Sequence, residues 1–120
     1  MNTPVNLEIA KLLKEKGFNV KCRYEFNNYH STYDNPIINR GNTYKGKEPE
    51  HIIYQAPTIG EVVMWLFDTH GIWIWVECYE SDSKFIPQIP NSNLEKVLGY
   101  YNSPSEAYSA AIIYTLNNLI

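Results

Sequence analysis

The residues from 18 to 26 alternate strictly. Phe18, Val20, Cys22, Tyr24 and Phe26 fall on one side, and Asn19, Lys21, Arg23 and Glu25 on the other. A period of two with one polar face predicts a half-buried strand with Glu25 turned to water. Just before it the period changes. Val5, Ile9, Leu12 and Leu13 sit at i, i+4, i+7 and i+8, one face of a helix over 4–16. Thr3-Pro4 supplies an N-cap with Pro at the first helical position, and Gly17 supplies a left-handed stop.

The last third carries two strong helix starts around an aromatic ribbon. Thr58-Ile59-Gly60-Glu61 and Ser103-Pro104-Ser105-Glu106 both read as capping boxes. The first opens a helix over 59–69 with Ile59, Val62, Val63, Leu66 and Phe67 on one stripe, ended by His70-Gly71. The second opens a helix over 104–118 that is apolar nearly all round. One stripe there is Tyr108, Ile112, Leu116 and Leu119, and a flatter one is Ala107, Ala110, Ala111 and Tyr114. Such a helix is sandwiched within the fold or forms half of an interface. Between them, Ile72, Ile74, Val76 and Cys78 alternate with Trp73, Trp75, Glu77 and Tyr79. A strand apolar on both faces is expected to be central, or covered by the long loop, the first helix or a second copy. Glu80-Ser81-Asp82-Ser83 predicts a hairpin loop, and 84–89 the returning strand. Pro87 and Pro90 place that strand at an edge or end it early. The stretch 93–101 suits a helical turn or a short strand, and the strand is preferred.

The middle, 27–50, is rich in Asn, Tyr and Gly, with turn signals at Asn35-Pro36 and Arg40-Gly41-Asn42. It reads as a long irregular loop anchored by Ile37-Ile38 and Tyr44. A short strand follows at 51–55. These elements predict an α+β fold: one domain over 1–120, with a small, mostly antiparallel sheet packed by two to three helices.

Composition changes this picture little. Ten Tyr and three Trp in 120 residues supply large buried rings, and core packing is their expected role. Charge is unevenly spread. Residues 1–47 hold eight Lys and Arg against four Asp and Glu, a balance of +4. Residues 48–120 hold two against nine, a balance of -7. The net of -3 makes the chain a poor candidate for duplex nucleic acid, where phosphate neutralisation supplies most of the affinity. Cys22 and Cys78 form no zinc-type spacing, and a buried reduced thiol is expected for each; a disulfide between them requires neighbouring strands. No apolar run reaches membrane-spanning length and no signal core opens the chain, so a cytoplasmic protein with no membrane contact is expected.

No catalytic constellation emerges. His30, His51 and His70 lack metal-ligand spacing, and His70 suits the end of a helix dipole. Glu77, Glu80 and Asp82 cluster around the hairpin without a completing partner. No catalytic residue, metal or cofactor is therefore expected. The remaining candidates are binding residues. Trp73, Trp75 and Tyr79 share a face that could stack a base or ligand, with Arg23 supplying charge if its strand lies alongside.

Ala56-Pro57-Thr58, the Trp65-bearing helix, the His70-Gly71-Ile72 turn and the run from Tyr101 through Ser103-Pro104-Ser105-Glu106 to Tyr108 carry a resemblance. Over 7–22 and 56–120 the chain resembles small proteins encoded in prophages and mobile elements of gut Bacteroidetes. The Pro87/Pro90 strand departs from that group's more regular one. The group has no assigned activity, catalytic residue or cofactor, so the resemblance implies only a cytoplasmic accessory protein of a mobile element. The leading expectation is a non-enzymatic interaction protein, with room for a homodimer through the Trp73/Trp75 face or the last helix. The alternative is a module binding single-stranded nucleic acid or a small ligand. A third idea is an enzyme with a site under the 27–50 loop, near His30, His51 or Glu77.

Overall fold

The computed structural model describes residues 1–27, 35–38, 53–79, 83–90 and 97–120. The fold is α+β. The chain gathers into two compact units, Pro4–Pro57 and Met1–Thr3 with Thr58–Ile120. Among the described residues the strands form two small antiparallel sheets, one in each unit, rather than the single sheet expected.

In the first unit, helix α1 (Leu7–Glu15) packs on a sheet of β1 (Tyr24–Asn27), β2 (Ile37–Ile38) and β3 (Ile53–Gln55), ordered β2-β1-β3. The helix starts later than Thr3-Pro4 implies. Asn6 is the cap, its Oδ1 accepting from the Ile9 N–H at 2.9 Å, while the Val5 N–H donates to the Pro57 carbonyl at 2.9 Å. Ile9, Ala10 and Leu13 are buried, and Gly17 takes the expected left-handed turn at φ 91°.

The predicted strand over 18–26 is mostly not a strand. The ladder begins at Tyr24, where Glu25 stands opposite Ile37 on one side and Gln55 on the other. Upstream, the Cys22 N–H is satisfied by the Gln55 side chain, Oε1 at 2.7 Å, and Val20 is 49% exposed. Alternation predicts pleating, but a ladder also needs a partner backbone. Glu25 overturns its expectation more sharply. It is 3% exposed, and its Oε2 accepts from Asn27 Nδ2 at 2.9 Å. Asn27, two residues on and on the same face, is buried too, and a buried carboxylate needs such a hydrogen-bond partner. Ile37-Ile38, named above as an anchor of the loop, forms the short strand β2. Tyr44 and most of the 27–50 loop lie outside the described residues, as does the start of the 51–55 strand.

The second unit holds α2 (Ile59–His70), β4 (Trp75–Tyr79), β5 (Lys84–Gln88) and α3 (Pro104–Asn118). The capping box is reciprocal: Thr58 Oγ1 accepts from the Glu61 N–H at 3.2 Å, and Glu61 Oε1 accepts from the Thr58 N–H at 2.8 Å. The two preceding helical N–H groups are also satisfied, Ile59 by the Thr3 carbonyl and Gly60 by that of Met1, each at 3.0 Å. A Cβ on Gly60 would stand 3.3 Å from that Met1 oxygen, so glycine permits the approach. Gly71, at φ 69°, ends the helix as expected.

Ser103 caps α3, with Oγ accepting from the Glu106 N–H at 3.2 Å. Helix α3 packs against α2, β4 and β5 and buries Ala107, Ala111, Ile112 and Leu116, drawn from the two predicted stripes, together with Thr115, which is in neither. The Thr115 hydroxyl donates to the Ala111 carbonyl at 2.8 Å, which lets a polar residue occupy that core.

Strands β4 and β5 pair from Trp75 opposite Gln88 to Tyr79 opposite Lys84. Pro87 does not end β5 early, and the reason is geometric. The Phe85 N–H and C=O both bond Tyr101, at 3.0 and 2.9 Å, so they point away from β4. Pro87, two residues on, has its nitrogen on that same outer side and removes no bond from the β4 ladder. Within the ambiguous 93–101 stretch, Val97 and Leu98 are helical, Gly99 turns at φ 75°, and Tyr101 makes the bridge; residues 93–96 lie outside the described residues.

Candidate functional site

Pleating places Trp75, Glu77 and Tyr79 on one face of β4, and Val76 and Cys78 on the other. This ribbon is not the central, shielded strand that its two-sided apolar pattern predicts. Glu77 and Cys78 are exposed, Tyr79 is 48% exposed, and only Trp75 and Val76 are half-buried. Trp73 lies before the strand and is 40% exposed. Its ring meets Phe67 edge to face at 5.4 Å between centroids, within the favourable range for aromatic pairs. Phe67 was expected in the core stripe of α2, but it is 48% exposed. Met64, one turn earlier on the same helix, is exposed too, whereas Leu66 between them is buried. Among the described residues of this unit, Met64 and Phe67 on α2 and Trp73 after it are exposed, and on one face of β4 Glu77 and Tyr79 are exposed beside half-buried Trp75.

On the β4 strand itself this face carries one charge, the Glu77 carboxylate; across the ladder Lys84, opposite Tyr79, stands on the same face with its Nζ 4.5 Å from the Tyr100 centroid. Trp75 Nε1 lies 3.5 Å from Glu77 Oε1, a long hydrogen bond that steadies the carboxylate beside the indole. No cation pairs with Glu77 among the described residues. A carboxylate between two rings attracts cations and repels phosphate, and the rings beside it offer apolar and cation–π contact.

Arg23 belongs to the other unit, where its guanidinium carbon stands 5.6 Å from the centroid of the Tyr24 ring. The same arrangement recurs nearby. Lys14 Nζ lies 5.0 Å and Lys11 Nζ 5.9 Å from the Tyr54 centroid, and Lys14 also donates to the Ile53 carbonyl at 3.2 Å. Beside it a cleft of about 370 Å³ is lined by Lys14, Phe18, Asn19, Ile53 and Gln55. Sequence reasoning missed both the Lys–Tyr54 cluster and the Glu25–Asn27 pair. Helical spacing does put Lys11 and Lys14 three apart on one face, but nothing in the sequence brings Tyr54 beneath them.

Neither cysteine forms a disulfide. Cys22 is buried as expected, with Sγ 3.3 Å from the Val20 carbonyl, whereas Cys78 is exposed on the open ribbon, against expectation. His70, at the end of α2, meets the Trp65 ring edge to face at 5.0 Å. His30, His51, Glu80 and Asp82 lie outside the described residues. Among the described residues no group of three or more His, Cys, Asp or Glu is placed to hold a metal ion, and no helix is long and apolar enough to cross a membrane. No protein-family model matches this chain, and neither does any curated protein or solved structure.

Proposed function

We propose that this chain is a non-enzymatic interaction protein, a cytoplasmic accessory of a mobile element, that engages other protein through the water-facing aromatics of its second unit. One observation carries the reading: Phe67, Trp73 and Tyr79 are each at least 40% exposed in a unit whose core is otherwise closed by Leu66, Ile74, Ile112 and Leu116. Clustered rings left in water mark contact surfaces, because aromatics supply large desolvation area at little entropic cost.

The reading predicts that Phe67→Ser together with Trp73→Ser leaves the folded state intact and abolishes partner capture or self-association. Affinity capture from the expressing cell and light scattering, each on both proteins, test it. Identical capture profiles and identical masses for the two proteins would discard it. A strict monomer at high concentration removes homodimerisation and leaves a foreign partner.

The stacking alternative draws support from the exposure of Trp73 and Tyr79, but Glu77 sits on the same face as Trp75 and Tyr79. A carboxylate there opposes a nucleic-acid backbone. Trp fluorescence titrated with single-stranded oligonucleotides is expected to stay flat; salt-dependent quenching would favour the alternative.

A further inference from the structure

The hydrogen-bond parity of the hairpin defines what the outer edge of β4 offers. Phe85 turns its N–H and C=O to Tyr101, so the Phe85–Cys78 pair is a non-hydrogen-bonded one. Hydrogen-bonded pairs alternate with such pairs, so Trp75, Glu77 and Tyr79 direct their backbone groups to β5. Val76 and Cys78 direct theirs outward, where no strand pairs with β4 among the described residues. An edge of this kind is a template for another strand. It is short, it carries an exposed acid at its centre, and it belongs to the acidic part of the sequence.

We infer that the outer edge of β4 accepts an extended basic segment of a partner protein, added antiparallel, with an Arg or Lys opposite Glu77. This rests on the interaction reading above and names the partner's chemistry. Residues flanking that cation exchange backbone bonds with Val76 and Cys78. The cation falls opposite Glu77 at a non-hydrogen-bonded position, where Cα atoms approach to about 4.5 Å and side chains are closest. There the carboxylate neutralises it, and the rings of Trp75 and Tyr79, two residues to either side, flank its aliphatic stem and charged head. Charge complementarity selects this occupant over a second copy. Two β4 edges that use all their outward groups pair Val76 with Cys78 of the other copy, which sets Glu77 directly against Glu77, a destabilising like-charge contact.

The test uses the full chain and the peptide acetyl-Thr-Val-Arg-Val-Thr-amide, with NMR following the Val76 and Cys78 amides. Titration is expected to shift both amides and quench Trp fluorescence. The same peptide with Glu in place of Arg is expected to bind at least about tenfold more weakly, since like-charge juxtaposition costs several kcal/mol. Glu77→Gln is expected to erase that preference. Methylating both valine nitrogens of the peptide is expected to abolish binding, as is Val76→Pro, whose lost N–H points away from β5. Peptide methylation decides the matter where the proline variant does not fold. Equal binding of the Arg and Glu peptides, indifference to methylation, or shifts of these amides on concentrating the protein alone would each overturn the inference. If partner capture still depended on Phe67 and Trp73 in that case, the edge would be discarded and the interaction reading kept.

Discussion

The two units treat their aromatic rings in opposite ways. In the Pro4–Pro57 unit the rings of Tyr24 and Tyr54 lie close to cations of their own unit, Arg23 for one and Lys11 and Lys14 for the other. In the other unit Phe67 and Trp73 meet edge to face and stay exposed, and Trp75 and Tyr79 flank a carboxylate. Tyr100, with Lys84 Nζ 4.5 Å from its centroid, is the exception there. Acid groups reverse the pattern: Glu25 is buried and hydrogen-bonded in the first unit, and Glu77 is exposed in the second. A ring already occupied by an internal cation has spent its face, whereas a ring beside an unpaired acid still has one to offer. That contrast is why we propose the second unit as the one that meets a partner.

The largest test separates structure from recognition within α2. Leu66→Ala removes a fully buried side chain and is expected to cost about 2–5 kcal/mol in urea unfolding. Phe67→Ala, one residue on, is expected to cost far less, since surface substitutions usually stay within about 0.5 kcal/mol. Equal losses would mean that Phe67 is core and the contrast false. The next test compares the two acids. Glu25→Ala leaves the buried Asn27 amide without its carboxylate and is expected to cost about 1–3 kcal/mol, while Glu77→Ala stays within about 0.5 kcal/mol. Thr58→Ala breaks one half of the reciprocal box and is expected to cost about 1 kcal/mol by thermal unfolding. The smallest effect concerns the covered ring. Tyr54→Leu keeps the apolar body and is expected to lose about 0.5–1 kcal/mol, an increment that a Lys14→Met background should largely remove.

Much of this fold was legible because its signals are local. Thr58 with Glu61, Gly71, Ser103 and Gly17 each announce a helix end through atoms a few residues apart, and each behaves accordingly. The failures share a cause: the deciding atom is distant. Thr3-Pro4 has the chemistry of a helix start, yet the Thr3 carbonyl instead satisfies the Ile59 N–H of α2, and Asn6 takes the cap. Residues 18–23 alternate like a strand, but the Gln55 side chain meets Cys22 where a backbone partner would be needed. Glu25 reads as solvent-facing until Asn27 and two flanking strands enclose it. The site was misread for a related reason. An apolar pattern on both faces of a ribbon normally means cover on both faces, and here a two-stranded hairpin leaves Tyr79 exposed and Trp75 half-buried, with Trp73 exposed just before it. Amino-acid order reveals which positions are greasy, not which of them evolution left uncovered.

The contact between the Val5 N–H and the Pro57 carbonyl has a topological consequence. It brings the start and finish of the first unit side by side, and the Thr3 carbonyl meets Ile59 just as closely on the other flank of each junction. Along the chain, the first unit is thus an insertion between Thr3 and Thr58 of the second. A cassette with adjoined ends can be lengthened, shortened or exchanged during evolution without dragging on the scaffold that carries it.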